Sequence, residues 1–191
     1  MSSLPSASDT LRCFIAVELP REVRDALHET GRALARDVRA ARWVKPDSIH
    51  LTLKFLGDTP AEIIPDISRA MQTAAAQTGP FELATDALGA FPNPRKARVL
   101  WAGLSGGTDA CAAMHRRIET AMAGLGFTRE KRPFRAHLTL ARFRDPAPVP
   151  QSVLDFPVPH LRFPVRRVVL FQSELDPRGA VYTPLATAPL D

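Results

Sequence analysis

The tetrapeptide His-Leu-Thr-Leu occurs twice in this chain, as His50-Leu51-Thr52-Leu53 and as His137-Leu138-Thr139-Leu140, 87 residues apart. Its alternation of polar and apolar side chains has the period of a β-strand, on which neighbours point to opposite faces. Each copy therefore sends its histidine and threonine to one face and its two leucines to the other, where a core must cover them. The flanks repeat too. Lys45-Pro46 stands five and four residues before His50, and Arg132-Pro133 stands at the same offsets before His137. Downstream come Lys54-Phe55 in the first copy and Arg142-Phe143 in the second, shifted by one residue. Such a chain has to build the same strand twice, and the spacing predicts two similar halves, roughly 11–90 and 97–185, rather than an array of short repeats.

The rest of the chain supplies the elements for this. The segment 11–19 is apolar and β-branched up to Pro20 and predicts a buried strand. From there to Arg39 the residues Val23, Ala26, Leu27, Leu34 and Val38 recur at helical spacing. Thr59 as cap and Pro60 as first residue predict a second helix to about Gln77, and Gly106-Gly107 with Thr108 as cap a third to about Gly124. The inward face of that third helix is read as Ala112, Met114, Ile118 and Met122. Strands are predicted at 43–44, 48–55, 81–87, 98–104 and 136–143. The five prolines of 145–159 predict a loop with one short helix around Gln151–Leu154. The segments 165–175 and 180–185, joined by Asp176-Pro177-Arg178-Gly179, read as a β-hairpin. Short connections favour antiparallel pairing, so the predicted fold is α+β: one domain over 1–191, two lobes of antiparallel sheet flanked by helices, and a cleft between the lobes.

An apolar fraction of 45% and a charged fraction of 24% belong to an ordinary folded chain. Cys13 and Cys111 lack metal-ligand spacing and are read as reduced, buried thiols in a reducing compartment. Residues 1–10 are small and polar with no basic stretch, and no run of 18 apolar residues follows, so neither an export signal nor a membrane helix is expected and the location is read as cytoplasmic. The net charge of +5 is concentrated in one place. Arg129, Lys131, Arg132, Arg135, Arg142 and Arg144 stand against Glu130 alone, so this segment carries the whole excess and implies an anionic substrate.

Cleaving a phosphodiester without a metal takes a base, an acid and donors for the non-bridging oxygens. Histidine, with an ordinary pKa of ~6.5, serves as base or acid near neutrality. Threonine hydroxyls two residues along the same face can donate to the phosphoryl oxygens. Two strands that present these groups from opposite sides match in-line displacement at phosphorus. No third ligand accompanies His50 and His137 at zinc spacing, so no metal is expected. His28, His115 and His160 have no threonine partner and are read as surface residues.

Both motifs, the opening Arg12-Cys13-Phe14-Ile15-Ala16-Val17 before Leu19-Pro20, the extension HLTLKFLG at 50–57 and the closing segment 170–182 resemble the 2H phosphoesterases. Within them the chain is similar, over nearly its whole length, to the bacterial and archaeal RNA 2′,3′-cyclic phosphodiesterases, also called 2′-5′ RNA ligases. The resemblance implies a two-lobed α+β fold and opening of an RNA 2′,3′-cyclic phosphate to a 2′-phosphate, with neither metal nor cofactor. It makes His50 and His137 the catalytic pair, has Thr52 and Thr139 hold phosphate, and adds Arg142 as a positive contact. Strict alternation puts Arg142 on the face opposite His137, so it reaches the site only through a bulge or at a strand end. His50 is read as the acid and His137, in the more basic half, as the base. Phe14 is a candidate for stacking a base. Expected partners are RNA ends or nucleotides bearing a 2′,3′-cyclic phosphate, met by a monomer. Two other readings use the same residues: a ligase that joins RNA ends through a 2′-5′ bond, and a non-catalytic RNA-binding module that relies on 129–144 and leaves the histidines structural.

Overall fold

The duplicated strands lie next to each other in the centre of a single sheet. In the computed structural model, which describes residues 10–176 and 179–191, the strands are β1 (Thr10–Glu18), β2 (Ala41–Trp43), β3 (His50–Pro60), β4 (Phe81–Phe91), β5 (Ala97–Gly106), β6 (His137–Ala147), β7 (Arg162–Val165), β8 (Arg167–Asp176) and β9 (Gly179–Pro189). Their order is β7-β4-β5-β6-β3-β1-β8-β9, with β2 added beside β6, and every pairing among the described residues is antiparallel. The helices are α1 (Arg21–Leu34), α2 (Ile64–Ala75), α3 (Thr108–Gly124) and the single turn α4 (Gln151–Leu154). The polar segment 1–9 used for the export reading, and the turn residues 177 and 178, lie outside the described residues.

The leucines of the motifs define the core. Leu51, Leu53, Leu138 and Leu140 are at most 3% exposed, and with Cys13, Ile15 and Val17 of β1 they pack against Val23, Leu27 and Leu34 of α1, Ile67 and Met71 of α2, and Met114, Ile118 and Met122 of α3. Each such aliphatic side chain contributes roughly 1.5–3 kcal/mol by leaving water. The alternate residues of β1 belong to a second, smaller cluster on the other face, made of Phe14, Ala16, Val169 and Phe171 with Tyr182 packed against it. That leaves one sheet face under helices and the other partly open. Cys13 and Cys111 are buried and free; burial pushes the Cys111 thiol up to about 12 and raises Cys13. No helix among the described residues is long and apolar enough to cross a membrane.

Three expectations change. The separate sheets facing each other across a groove are one continuous sheet in which β3 and β6 are neighbours, in register at Leu51 opposite Leu138. The range 97–185 does not stay together, because β8 and β9 join β1 while β4, from the first range, pairs with β5 and β7. Periodicity specifies a strand and a face but not a partner; the apolar cross-strand pairs Phe14–Phe171 and Ile15–Leu170 make that choice here. The second helix begins later than predicted. Thr59 is fully buried in β3 opposite Leu11, its hydroxyl donating to the Gly57 carbonyl at 3.1 Å, so pairing with β1 overrides its capping tendency.

Candidate active site

Beside the Leu51–Leu138 pair, one step of antiparallel register in either direction sets His50 across from Thr139 and Thr52 across from His137. All four polar side chains are half-buried, while the leucines between them are buried on the helix side. Each motif then ends in a bulge at its fourth residue. Along β1, Ala16 pairs with Thr52 and Ile15 with Lys54, which leaves Leu53 extra. Along β5, Trp101 pairs with Thr139 and Leu100 with Ala141, which leaves Leu140 extra. An extra residue reverses the alternation that follows. Lys54 and Ala141 therefore turn inward and are buried, while Phe55 and Arg142, each five residues after its histidine, turn out on the face of the histidines. This bulge resolves the parity conflict over Arg142. Its position near both rings is felt electrostatically, since its guanidinium opposes protonation of His50 and of His137 alike.

Both imidazoles are held in the same way. The Nδ1 of His137 lies 2.7 Å from the Arg135 carbonyl oxygen, and a backbone bond to Ser48, again two residues back, favours the charged form of His50. A carbonyl can only accept, so the His137 Nδ1 carries the proton and its Nε2 presents a lone pair. Desolvation dominates the titration of both. It brings His50 down to about 4 and lowers His137 from its ordinary value, so both rings are neutral at pH 7 in the ligand-free protein.

Aromatic rings back each histidine. Phe14 stacks on His50 at 4.8 Å and on Phe171 at 5.3 Å, and Tyr182 meets His50 edge-on at 5.2 Å. Phe14 is 3% exposed, so its faces are already taken and it cannot stack a base; it is a support for His50. The aromatic with a free face on this rim is Phe55, 65% exposed. On the other side Phe91 meets His137 edge-on at 4.9 Å and Trp101 lies at 6.2 Å. Trp101 packs flat over Gly89, where a Cβ would come within 2.2 Å of the indole. Beyond His137 opens a recess of 590 Å³ whose lining includes Trp101, Phe134, Arg135, Asp86 and Asp109.

Behind the site, the inward-turned Lys54 forms a buried ion pair with Glu119 of α3, Nζ to Oε1 2.8 Å, and donates to the Thr128 carbonyl at 2.7 Å. Glu119 also accepts the Glu130 backbone N–H at 3.2 Å. His115 is largely covered as well, stacked on Phe134 at 4.0 Å, so its surface reading is corrected. Phe55, Tyr182, the two carbonyl anchors and the Lys54–Glu119 pair were not singled out from sequence. The equal offset of Phe55 and Arg142 from their histidines was the available signal, hidden by matching Lys54-Phe55 to Arg142-Phe143 instead.

A site of two histidines and two threonines on adjacent antiparallel strands defines a paired-histidine phosphoesterase architecture. The chain belongs to the 2′-5′ RNA ligase superfamily, whose family model matches residues 14–177, and the resemblance read from its motifs holds. It is 36% identical over 187 residues to an RNA 2′,3′-cyclic phosphodiesterase of Thermus thermophilus, covering 92% of this chain and 88% of that protein. It is 31% identical over 179 residues to an RNA 2′,3′-cyclic phosphodiesterase of Geobacillus stearothermophilus, covering 93% of this chain but only 56% of that longer protein. The crystal structure of Escherichia coli LigT complexed with 3′-AMP superposes with a TM-score of 0.74 at 27% identity, covering 95% of this chain and 99% of LigT.

Proposed function

We propose that the protein hydrolyses 2′,3′-cyclic phosphates at RNA or nucleotide ends to 2′-phosphates, with His137 as base and His50 as acid. The observation that carries this reading is the bulge that brings Arg142 to the face where His50 and His137 flank the paired threonines. In the reaction the bare Nε2 of His137 takes a proton from water, and the water oxygen bonds to phosphorus. The bond from phosphorus to the 3′ oxygen breaks as His50 delivers a proton to that oxygen, so one water is consumed and a 3′-hydroxyl and a 2′-phosphate result. Thr52, Thr139 and Arg142 stabilise the charge on the non-bridging oxygens. His50 is neutral until an anion occupies the site, because a nearby negative charge raises an imidazole's pKa. Proton uptake thus accompanies substrate binding, and a buried imidazolium of low intrinsic pKa releases its proton readily to the leaving oxygen.

The family also supports a second reading on the same geometry. A 5′-hydroxyl in the place of water gives a 2′-5′ phosphodiester instead of a 2′-phosphate. We place the protein in the cytoplasm, a reducing compartment that suits its two free, buried thiols. The test is incubation with a 2′,3′-cyclic nucleotide in EDTA, followed by identification of the product. The 2′-phosphate is expected from wild type, with a loss of 10²-fold or more in His50→Ala and in His137→Ala. Turnover retained in both variants, or a 3′-phosphate product, overturns the assignment.

A further inference from the structure

Where β3 leaves β6, β2 takes its place, and the pairing sets Arg42 directly opposite Arg142. Directly opposed residues of an antiparallel pair share a face, so Arg42 stands beside Arg142 on the side of the histidines. Its neighbour Trp43 points the other way, against Gly31 of α1. Arg144 follows on the same face of β6, alternating with the buried Phe143. All three arginines are exposed. The lysine and arginine ion pairs found among the described residues all lie elsewhere, so no acid offsets this cluster. Asp145, next in sequence, is exposed and makes no ion pair in that set.

Like charges directly opposed across strands destabilise a sheet. Folding gains nothing from this arrangement, whereas a polyanion does. The feature is also one-sided, because the position equivalent to Arg142 in the first motif is Phe55. We propose that Arg42, with Arg144, forms a second phosphate subsite continuous with the catalytic centre, so that the preferred substrate is an oligoribonucleotide ending in a 2′,3′-cyclic phosphate rather than a cyclic mononucleotide. This rests on the function proposed above: the terminal cyclic phosphate sits between the histidines, and the adjacent internal phosphodiester lies against Arg42 and Arg144.

The experiment compares kcat/KM for a 2′,3′-cyclic mononucleotide with that for a dinucleotide of the same terminal base, in wild type, Arg42→Gln and Arg42→Lys. A dinucleotide whose internal phosphate is replaced by neutral methylphosphonate serves as control. Wild type should prefer the charged dinucleotide by about tenfold, the size of one charge-assisted contact. Arg42→Gln should collapse that ratio toward one, Arg42→Lys should keep part of it, and the methylphosphonate should behave as the mononucleotide. The salt dependence of binding should steepen by ~0.7 in log–log slope for the added phosphate. Removing the like-charge contact should leave Arg42→Gln at least as heat-stable as wild type, which separates loss of a subsite from loss of fold. Equal kcat/KM for both substrates in wild type, or a ratio unchanged in Arg42→Gln, overturns the subsite. Equilibrium binding of the 2′-phosphate mono- and dinucleotides repeats the comparison without turnover. No hydrolysis with Arg42-dependent affinity intact refutes the catalytic reading alone.

Discussion

Truncating Glu119 to alanine tests whether the buried ion pair behind the site holds the catalytic strand in place. Lys54 and Glu119 are 5% and 6% exposed. In Glu119→Ala the Lys54 ammonium keeps the Thr128 carbonyl as its acceptor, and the Glu130 N–H loses its partner. An ion left buried without its counter-charge costs about 3–5 kcal/mol. For a chain of this length that corresponds to a fall of roughly 6–20 °C in Tm. Lys54→Met strands the Glu119 carboxylate and should cost a similar amount. The double variant Lys54→Met/Glu119→Leu removes both charges and should recover most of the loss, because well-packed apolar replacement of a buried pair is often neutral or better. Urea unfolding of wild type, Glu119→Leu, Lys54→Met and their double variant gives the double-mutant cycle, with a coupling energy of at least about 2 kcal/mol expected. Single variants within 1 kcal/mol of wild type, or costs that simply add, would refute the reasoning. The activity of every variant that lacks Glu119 should fall below that of wild type per folded molecule, since Glu119 anchors Glu130 at the start of the segment whose Arg135 carbonyl orients His137.

The depressed pKa of His50 fixes a pH dependence. An unfolded chain takes up a proton on this ring below its ordinary pKa of ~6.5 while the folded protein refuses it down to about 4. Stability is therefore present above 6.5 and is lost as pH falls toward 4, by roughly 3 kcal/mol from this residue, with His137 adding in the same direction. His50→Gln should flatten that profile, and identical pH slopes for wild type and variant would sink the claim. Gly89→Ala places a methyl within 2.2 Å of Trp101 and should displace the indole from beside His137. A stability loss of about 1–3 kcal/mol is expected, with a larger fall in kcat than in substrate affinity; full activity in that variant would show the indole to be dispensable.

The motif strands were legible because alternation of histidine and threonine with leucine has only one strand-wise solution once the leucines are buried. Val23, Leu27 and Leu34 of α1, and the single turn over Gln151–Leu154, followed from spacing and proline placement in the same way, whereas Thr30 and Gly31, buried on the same helix, did not. What sequence could not settle was partnership. Nothing in 165–189 says that its hairpin joins β1 rather than β6, since that depends on which apolar edge remains unpaired after the centre forms. Phe14 was misread for a related reason: an aromatic facing the site looks available until Phe171 and Tyr182, far away in sequence, close over it. Alternation alone could not decide whether Arg142 reaches the site, because the bulge that would bring it there is a property of two strands and not of one.

The bulges at Leu53 and Leu140 make the chemistry of the cleft a matter of counting. Removing Leu140 would remove the bulge along with the residue, so Ala141 would keep its place opposite Leu100 and Arg142 would stay on the face of the histidines, four residues after His137 instead of five. Inserting one residue between Leu140 and Arg142 without a second bulge would do the opposite, turning Arg142 beneath the sheet with every motif residue unchanged. A cation would be lost from the cleft with no substitution at all. Within this architecture, then, the spacing from histidine to arginine and the bulge between them form one specification, and neither alone says which face the cation takes.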